Sequence, residues 1–390
     1  MGYFVPGRSI ENLKHYKYQS EDRSIVSKIF LKPFWNTFVE IFPKWMAPNL
    51  VTLSGLGFIV INLIITLYYD PYLNKSMPHW VYLSNAIGLF LYQTFDGCDG
   101  VHARRTGQSS PLGELFDHSI DAINTTLSAY IFCSALGTGY GYKMIYSQFA
   151  VLTNFYLSTW EEYHTHVLFL SEMSGPVEGI LAICFAYLAT AIFGPDLIWH
   201  TTLATFKIND QQYVFETADS LLVVFTLGLI MNCYSASRNV IDHYRKEKSN
   251  LNMNFAVNQA MRGLSPYVLY VITVVLIVLV EKRFIDFSFI LSIGSTVAFV
   301  VGRIIVNHLT RQEYPMYNIS MFIPLSQLIA YFITINFTSG YRTDSIISAL
   351  SWLGCGLSLG IHALFLNEII YEFTTYLDVY ALTIKHSKFV

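Results

Sequence analysis

The sequence predicts an all-α, polytopic integral membrane protein of about ten transmembrane helices, preceded by an N-terminal cytosolic interfacial helix. Three observations carry that expectation. Apolar residues make up 53% of the 390 positions. Charged residues make up only 13%, against roughly 25% in an ordinary soluble domain. The apolar residues fall in runs of spanning length, and the mean hydropathy is +0.41. Disorder is excluded by the same hydrophobicity. With 27 acids against 24 bases the net charge is −3, so no basic field exists and nucleic acid is excluded as a partner. Cys98, Cys133, Cys184, Cys233 and Cys355 stand far apart without CxxC spacing and read as small buried hydrophobes.

Along the chain, Met1 to Pro6 has no basic stretch leading into an apolar core, so no cleavable signal peptide is expected. Residues 1–48 are polar enough to lie outside the bilayer. Within them, 29–42 carries aromatics at helical spacing and few charges. It reads as a helix lying on the membrane, the alternative being a helix packed on the protein's own cytosolic face. Spans are expected at 50–69, 79–96, 117–137, 144–162, 176–194, 218–236, 264–280, 284–303, 319–338 and 344–366. The third is the least apolar, with Asp117, His118 and Asp121 in its first turns. Residues 49–236 form an expected six-helix catalytic core. A polar cytosolic loop, 237–263, separates it from a four-helix region with a cytosolic tail, 264–390. With the N-terminus in the cytosol, 18 of the 24 Lys and Arg fall on that side. Both termini are then cytosolic, which an even number of spans satisfies.

Ionisable residues in a membrane protein mark function by default. One cluster dominates, Phe95-Asp96-Gly97-Cys98-Asp99-Gly100-Val101-His102-Ala103-Arg104-Arg105 followed by Pro111 to Asp121. Asp96 and Asp99 are three apart at the end of the second span, and Asp117 and Asp121 four apart at the start of the third. Each pair shares one helix face. The helices are consecutive and joined by a cytosolic loop, so the pairs can face each other. Four converging carboxylates call for hard divalent cations, Mg²⁺ or Mn²⁺. Two such ions can clamp a diphosphate. Gly100, Ala103 and Gly113 leave room for a bulky ligand, and Arg104 offers forked binding to phosphate. The bland reading is a salt-bridge network, but Arg104 and Arg105 cannot balance four acids.

The spacing Asp96-x2-Asp99-Gly100-x2-Ala103-Arg104-x8-Gly113-x3-Asp117-x3-Asp121 matches, position for position, the signature of the CDP-alcohol phosphotransferase family. The wider chain resembles eukaryotic choline/ethanolamine phosphotransferases, through Met46-Ala47-Pro48-Asn49, Gly113 to His118, and Trp160-Glu161-Glu162-Tyr163-His164-Thr165-His166. The resemblance runs nearly end to end and is strongest toward the fungal enzymes, including the opening Met1-Gly2-Tyr3-Phe4-Val5-Pro6.

That resemblance implies transfer of phosphoethanolamine or phosphocholine from CDP-ethanolamine or CDP-choline to sn-1,2-diacylglycerol, with release of CMP. It implies that Asp96, Asp99, Asp117 and Asp121 hold two metals, and that Gly100, Ala103, Arg104 and Asn49 line the donor site. It also implies a homodimer in the endoplasmic reticulum membrane, with the Golgi membrane as alternative. Three residues are candidates for the base that takes the diacylglycerol proton. His118 has a suitable ordinary pKa, and otherwise orients a metal-bound carboxylate. Asp121 is a poor base if metal-bound. Glu178 opens the fifth span, where desolvation favours a base, and otherwise complements the helix dipole. Gly97 is a candidate position for telling choline from ethanolamine. Glu161, Glu162, His164 and His166 look like a metal cluster but read as a solvated polar face. His362 reads as a hydrogen-bonded core histidine. Competing readings are a predominantly choline-specific enzyme, a CDP-diacylglycerol-dependent phospholipid synthase, which would be shorter, and a transporter, which would scatter its acids over several spans.

Overall fold

A computed structural model describes residues 2–15, 19–22, 24–170, 175–208, 211–247, 250–337 and 343–386. Lys17, Arg23, Lys248, Arg342 and Lys388 of the charge count lie outside the described residues, as do Thr338 of the ninth span and the end of the tail. Among the described residues there are thirteen α-helices, and ten stand where spans are expected.

The N-terminal segment turns through a π-helical stretch, Ser27–Leu31, into α1 (Lys32–Phe38) and a 3-10 turn, Val39–Ile41. It buries Leu31, Trp35, Val39 and Phe42 against α2 (Pro48–Tyr69) and α3 (His79–Thr106). Ile29, Phe30, Ile41 and Trp45 remain exposed. One face is therefore packed on the protein, and the other is apolar and free to meet a membrane.

Pro48 sets the first turn of α2, where its missing N–H costs nothing. α3 runs past residue 96 to Thr106 and stops at Gly107, whose φ of 66° makes a left-handed cap. α4 (Pro111–Ala135) starts four residues later, with the Ser110 hydroxyl accepting from the Gly113 N–H at 3.3 Å. The motif thus lies on two continuous helices and not in a loop. α5 (Tyr142–Thr165) ends at His166, whose φ is 58°. β1 (Ser20–Asp22) and β2 (Leu168–Leu170) form a short parallel pair. Then come α6 (Pro176–Phe193), α7 (Pro195–Trp199) and an antiparallel hairpin of β3 (Thr202–Ile208) and β4 (Gln211–Glu216). These strands were not expected.

The stretch 237–263 corrects the expectation of a loop. α8 (Thr217–Glu247) continues into it and α9 (Asn250–Arg262) occupies most of the remainder. The remaining helices are α10 (Ser265–Val280), α11 (Phe287–Leu309), α12 (Ile323–Phe337) and α13 (Thr343–Leu377). α11 is the central helix. It packs on α4, α5 and α13, and 89% of its apolar window is buried inside the protein. At the opposite end of the bundle from the motif, Arg283 donates to Glu281 and Asp344 and holds the Glu281 carboxyl down to about 2.

Seven helical stretches among the described residues are long and apolar enough to cross a membrane, so this is a multi-pass membrane protein. The three expected spans outside that set are α3, α4 and α5. They are diluted by Asp96 to Arg105, by Glu114 to Asp121 and by Glu161 to His164 respectively.

The α4–α11 contact is close because Gly294 lies directly against the Thr126 side chain, leaving no room for a Cβ. Gly294→Ala should cost about 1–3 kcal/mol, read as a lower Tm in detergent. Gly57→Ala, with nothing within 4 Å, should leave Tm unchanged.

Candidate functional site

The motif carboxylates converge at one end of the bundle. Asp96 and Asp99 on α3 and Asp117 on α4 each offer an oxygen, and these oxygens lie within 4.8 Å of one another. Asp121, one turn further along α4, accepts at Oδ1 from the Tyr92 hydroxyl. From α2, Thr52 Oγ1 donates to Asp99 Oδ2 at 2.5 Å. Gln93 Nε2 donates to Asp96 Oδ2 at 3.4 Å. Two charges 4 Å apart repel by about 4 kcal/mol at an effective dielectric near 20. Three carboxylates so placed need protons or cations between them. No Lys or Arg among the described residues pairs with any of the four. An all-oxygen donor set of this kind fits a hard divalent cation.

The two arginines divide their work. Arg105 Nη1 donates to the carbonyls of Val39 at 2.8 Å and Phe42 at 3.1 Å, which fastens the N-terminal segment to α3. Arg104 is exposed, and its Nη1 would stand 3.7 Å from a Cβ at Gly100. The guanidinium therefore folds back over Gly100, beside half-buried Ala103, and is available to an anion. A Cβ at Gly113 would meet Asn49 Oδ1 at 3.9 Å, so α2 and α4 meet there. Asn49 Nδ2 is already committed to the carbonyl of Ala381 at 2.9 Å. A bridge between Met46 and Thr383 holds the same C-terminal segment in place.

The three candidate bases differ. Asp121 has one oxygen taken by Tyr92. His118 is buried, and its Nδ1 has no hydrogen-bond partner but lies 3.9 Å from Glu162 Oε2 on α5. Glu178 accepts from Ser24 Oγ at 2.5 Å through Oε1, while buried Oε2 has no hydrogen bond.

Three readings are corrected. Gly97 does not face the carboxylates. It lies against the indole of Trp35 with no room for a Cβ, so it permits close packing of the N-terminal segment and does not read a head group. Glu161, Glu162 and His164 are buried, not solvated, because α8 and α9 cover that end of α5. Asn239 of α8 donates to Glu161 at 2.6 Å, and Trp160 Nε1 donates to the carbonyl of Ala260 on α9 at 3.1 Å. Only His166 of that group is exposed. His362 is buried as expected, but neither ring nitrogen has a hydrogen-bond partner among the described residues.

Sequence reasoning missed Thr52, Tyr92 and Ser24. Tyr92 had a readable signal, since it stands four residues before Asp96 and seven before Asp99 on one helix face. Thr52, three residues after Asn49, had a weaker one. Ser24 had none, because its bond to Glu178 crosses from the N-terminal segment to α6.

Three comparisons bear on this geometry. Residues 45–206, which include the whole motif, match the family model described as CDP-alcohol phosphatidyltransferase. Over the full length of both chains, the sequence is 58% identical to choline/ethanolaminephosphotransferase 1 and 53% identical to cholinephosphotransferase 1, both of Saccharomyces cerevisiae. It is 29% identical to ethanolaminephosphotransferase 1 of Mus musculus over 98% of this chain and 96% of that protein.

Thr52→Val and Tyr92→Phe each remove one hydrogen bond that holds a motif carboxylate. Each should weaken Mn²⁺ binding about 10- to 100-fold, measured by titration of the purified protein followed by electron paramagnetic resonance.

Proposed function

This chain belongs to the CDP-alcohol phosphatidyltransferase family, and from that membership we propose that it transfers phosphoethanolamine and phosphocholine from CDP-ethanolamine and CDP-choline to sn-1,2-diacylglycerol. The products are CMP and phosphatidylethanolamine or phosphatidylcholine. One observation carries the reading: Asp96, Asp99 and Asp117 bring oxygens within 4.8 Å of one another, with Asp121 beside them and Arg104 folded over Gly100. Both donors are proposed because the two yeast relatives are named for choline/ethanolamine and for choline transfer.

In the reaction, the diacylglycerol oxygen bonds to the β-phosphorus as the bond from that phosphorus to the CMP oxygen breaks. Asp96, Asp99, Asp117 and Asp121 would hold two divalent cations, Mg²⁺ or Mn²⁺, whose charge would offset that of the diphosphate. Arg104 binds phosphate oxygens in forked geometry. Gly100, Ala103 and Gly113 keep bulk away, so the nucleotide reaches the helix backbones. Asn49 turns its carbonyl oxygen toward the same space. The hydroxyl proton must go to a base. Asp121 suits this least, being held by Tyr92 and committed to metal. His118 and Glu178 remain: His118 turns Nδ1 toward Glu162, which leaves Nε2 for the motif side, and Glu178 keeps Oε2 without a hydrogen bond.

The membrane arrangement follows from the two substrates. The polar donor comes from water and the greasy acceptor from the bilayer, and a site at helix ends serves both. The Lys and Arg distribution supports a cytosolic position for that end and for both termini. The endoplasmic reticulum membrane is the expected compartment because lipid synthesis supplies diacylglycerol there, with the Golgi membrane as alternative. A homodimer is the expected state.

The test is CMP release by the purified protein in detergent with diacylglycerol and Mg²⁺ or Mn²⁺, with each CDP-alcohol run separately. Both donors should support diacylglycerol-dependent release, and Asp117→Asn should lower it at least about a thousandfold, or 4 kcal/mol. Release with CDP-choline alone would make the protein a choline enzyme. Release with neither donor would overturn the proposal.

A further inference from the structure

A second convergence of ligating side chains lies beside the motif, on the other side of His118. Glu114 in the first turn of α4, Glu162 in the last turn of α5 and His308 in the last turn of α11 each offer one atom, and these atoms lie within 4.8 Å of one another. Glu162 is 6% exposed, and among the described residues its only ion-pair partner is His118. The His118 side chain is nine-tenths buried, its Nδ1 has no hydrogen bond, and that nitrogen lies 3.9 Å from Glu162 Oε2. His308 Nδ1 is likewise buried without a hydrogen bond. Glu114, Glu162 and His308 take no part in the transfer reaction as derived above.

We propose that Glu114, Glu162 and His308, with His118 Nδ1 directed at them, form a second cation site separate from the aspartate motif. The chemistry selects the class of ion. Two carboxylates and imidazole nitrogen suit a divalent first-row transition ion, Zn²⁺ or Mn²⁺, better than Mg²⁺, which prefers oxygen alone. Thr159, Tyr163 and Ile305 line the same small gap as Glu114, Glu162 and His308. Mg²⁺ gives up its water reluctantly, which again favours the transition ion. The ligands come from three helices, so a bound ion would tie the consecutive α4 and α5 to the distant α11 at the motif end.

The site does not depend on the transferase reading, and its test measures metal and not activity. The full-length chain carrying Asp96→Asn, Asp99→Asn and Asp117→Asn, stripped with chelator, is reloaded with Zn²⁺, and bound metal is counted by mass spectrometry. About one ion per chain should remain. Adding Glu162→Gln or His308→Ala should take it to none, while Glu161→Gln, whose carboxylate is held by Asn239 instead, should leave it. A monodisperse triple variant that retains no Zn²⁺, or retention indifferent to Glu162→Gln and His308→Ala, would overturn the proposal. If the triple variant does not fold, the otherwise native chain loaded with Co²⁺ replaces it. Its visible absorption should change with His308→Ala, and an unchanged spectrum would sink the idea.

Discussion

The seam between α2 and α3 is the constraint on which the site depends. It is built from small and polar residues, the usual means of close helix approach in a membrane protein. A Cβ at Gly55 would stand 3.0 Å from Phe95 Cβ, so the helices come as near as their backbones allow. Further along, Asn62 closes over Gly88, accepting from the Ser84 hydroxyl at 2.9 Å and donating to the Ser84 carbonyl at 3.0 Å. Only at such separation can the short Thr52 side chain reach Asp99. α3 meets α6 and the N-terminal segment on its other faces, so a wider seam would also shift Gly97 against Trp35. Carboxylate placement, helix packing and attachment of the N-terminal segment are therefore one geometric problem.

A second constraint comes from the bilayer. Charged groups at the middle of a span are costly, so the chain collects them at helix ends. α3, α5 and α11 finish at the motif end, and α2, α4 and α6 begin there. Their terminal turns supply Glu162, His308, Asn49, Glu114 and Glu178, and Asp99 lies two turns inside the end of α3. What would be a solvated rim is then covered from above. α8 runs on to Glu247, α9 follows, and the segment after α13 reaches Asn49 through Ala381. Burial turns rim acids into groups that must be bonded or neutralised, as the bond from Asn239 to Glu161 illustrates.

Seven of the ten expected spans were legible as long apolar runs, and the motif was legible because its spacing is rigid on a helix. What escaped depends on tertiary contacts that leave no periodic trace. The stretch 237–263 is polar, and polarity alone argued for a loop. Its helices persist because Trp160 and Asn239 anchor them to α5. The role of Gly97 was misread because its place inside the motif suggested ligand contact, while the packing of Trp35 lies outside any local pattern. The strands β3 and β4 hide in a stretch that is neither apolar enough to span nor strictly alternating. Thr52, Ser24 and His308 act across chain separations that no window can see.

The position of His118 follows from helix geometry. Successive residues on a helix point about 100° apart, so Asp117 and His118 cannot face the same neighbour. Asp117 joins Asp96 and Asp99, and His118 turns toward Glu162. One turn of α4 thus serves two acidic sets, with the imidazole between them. If Nδ1 is engaged on the Glu162 side, Nε2 is the nitrogen left for the motif side, and the tautomer is set by the partner of the other nitrogen. The two roles weighed for this histidine, taking a proton and orienting a neighbour, then belong to different atoms of one ring. They are compatible, and the geometry that permits one also prepares the other.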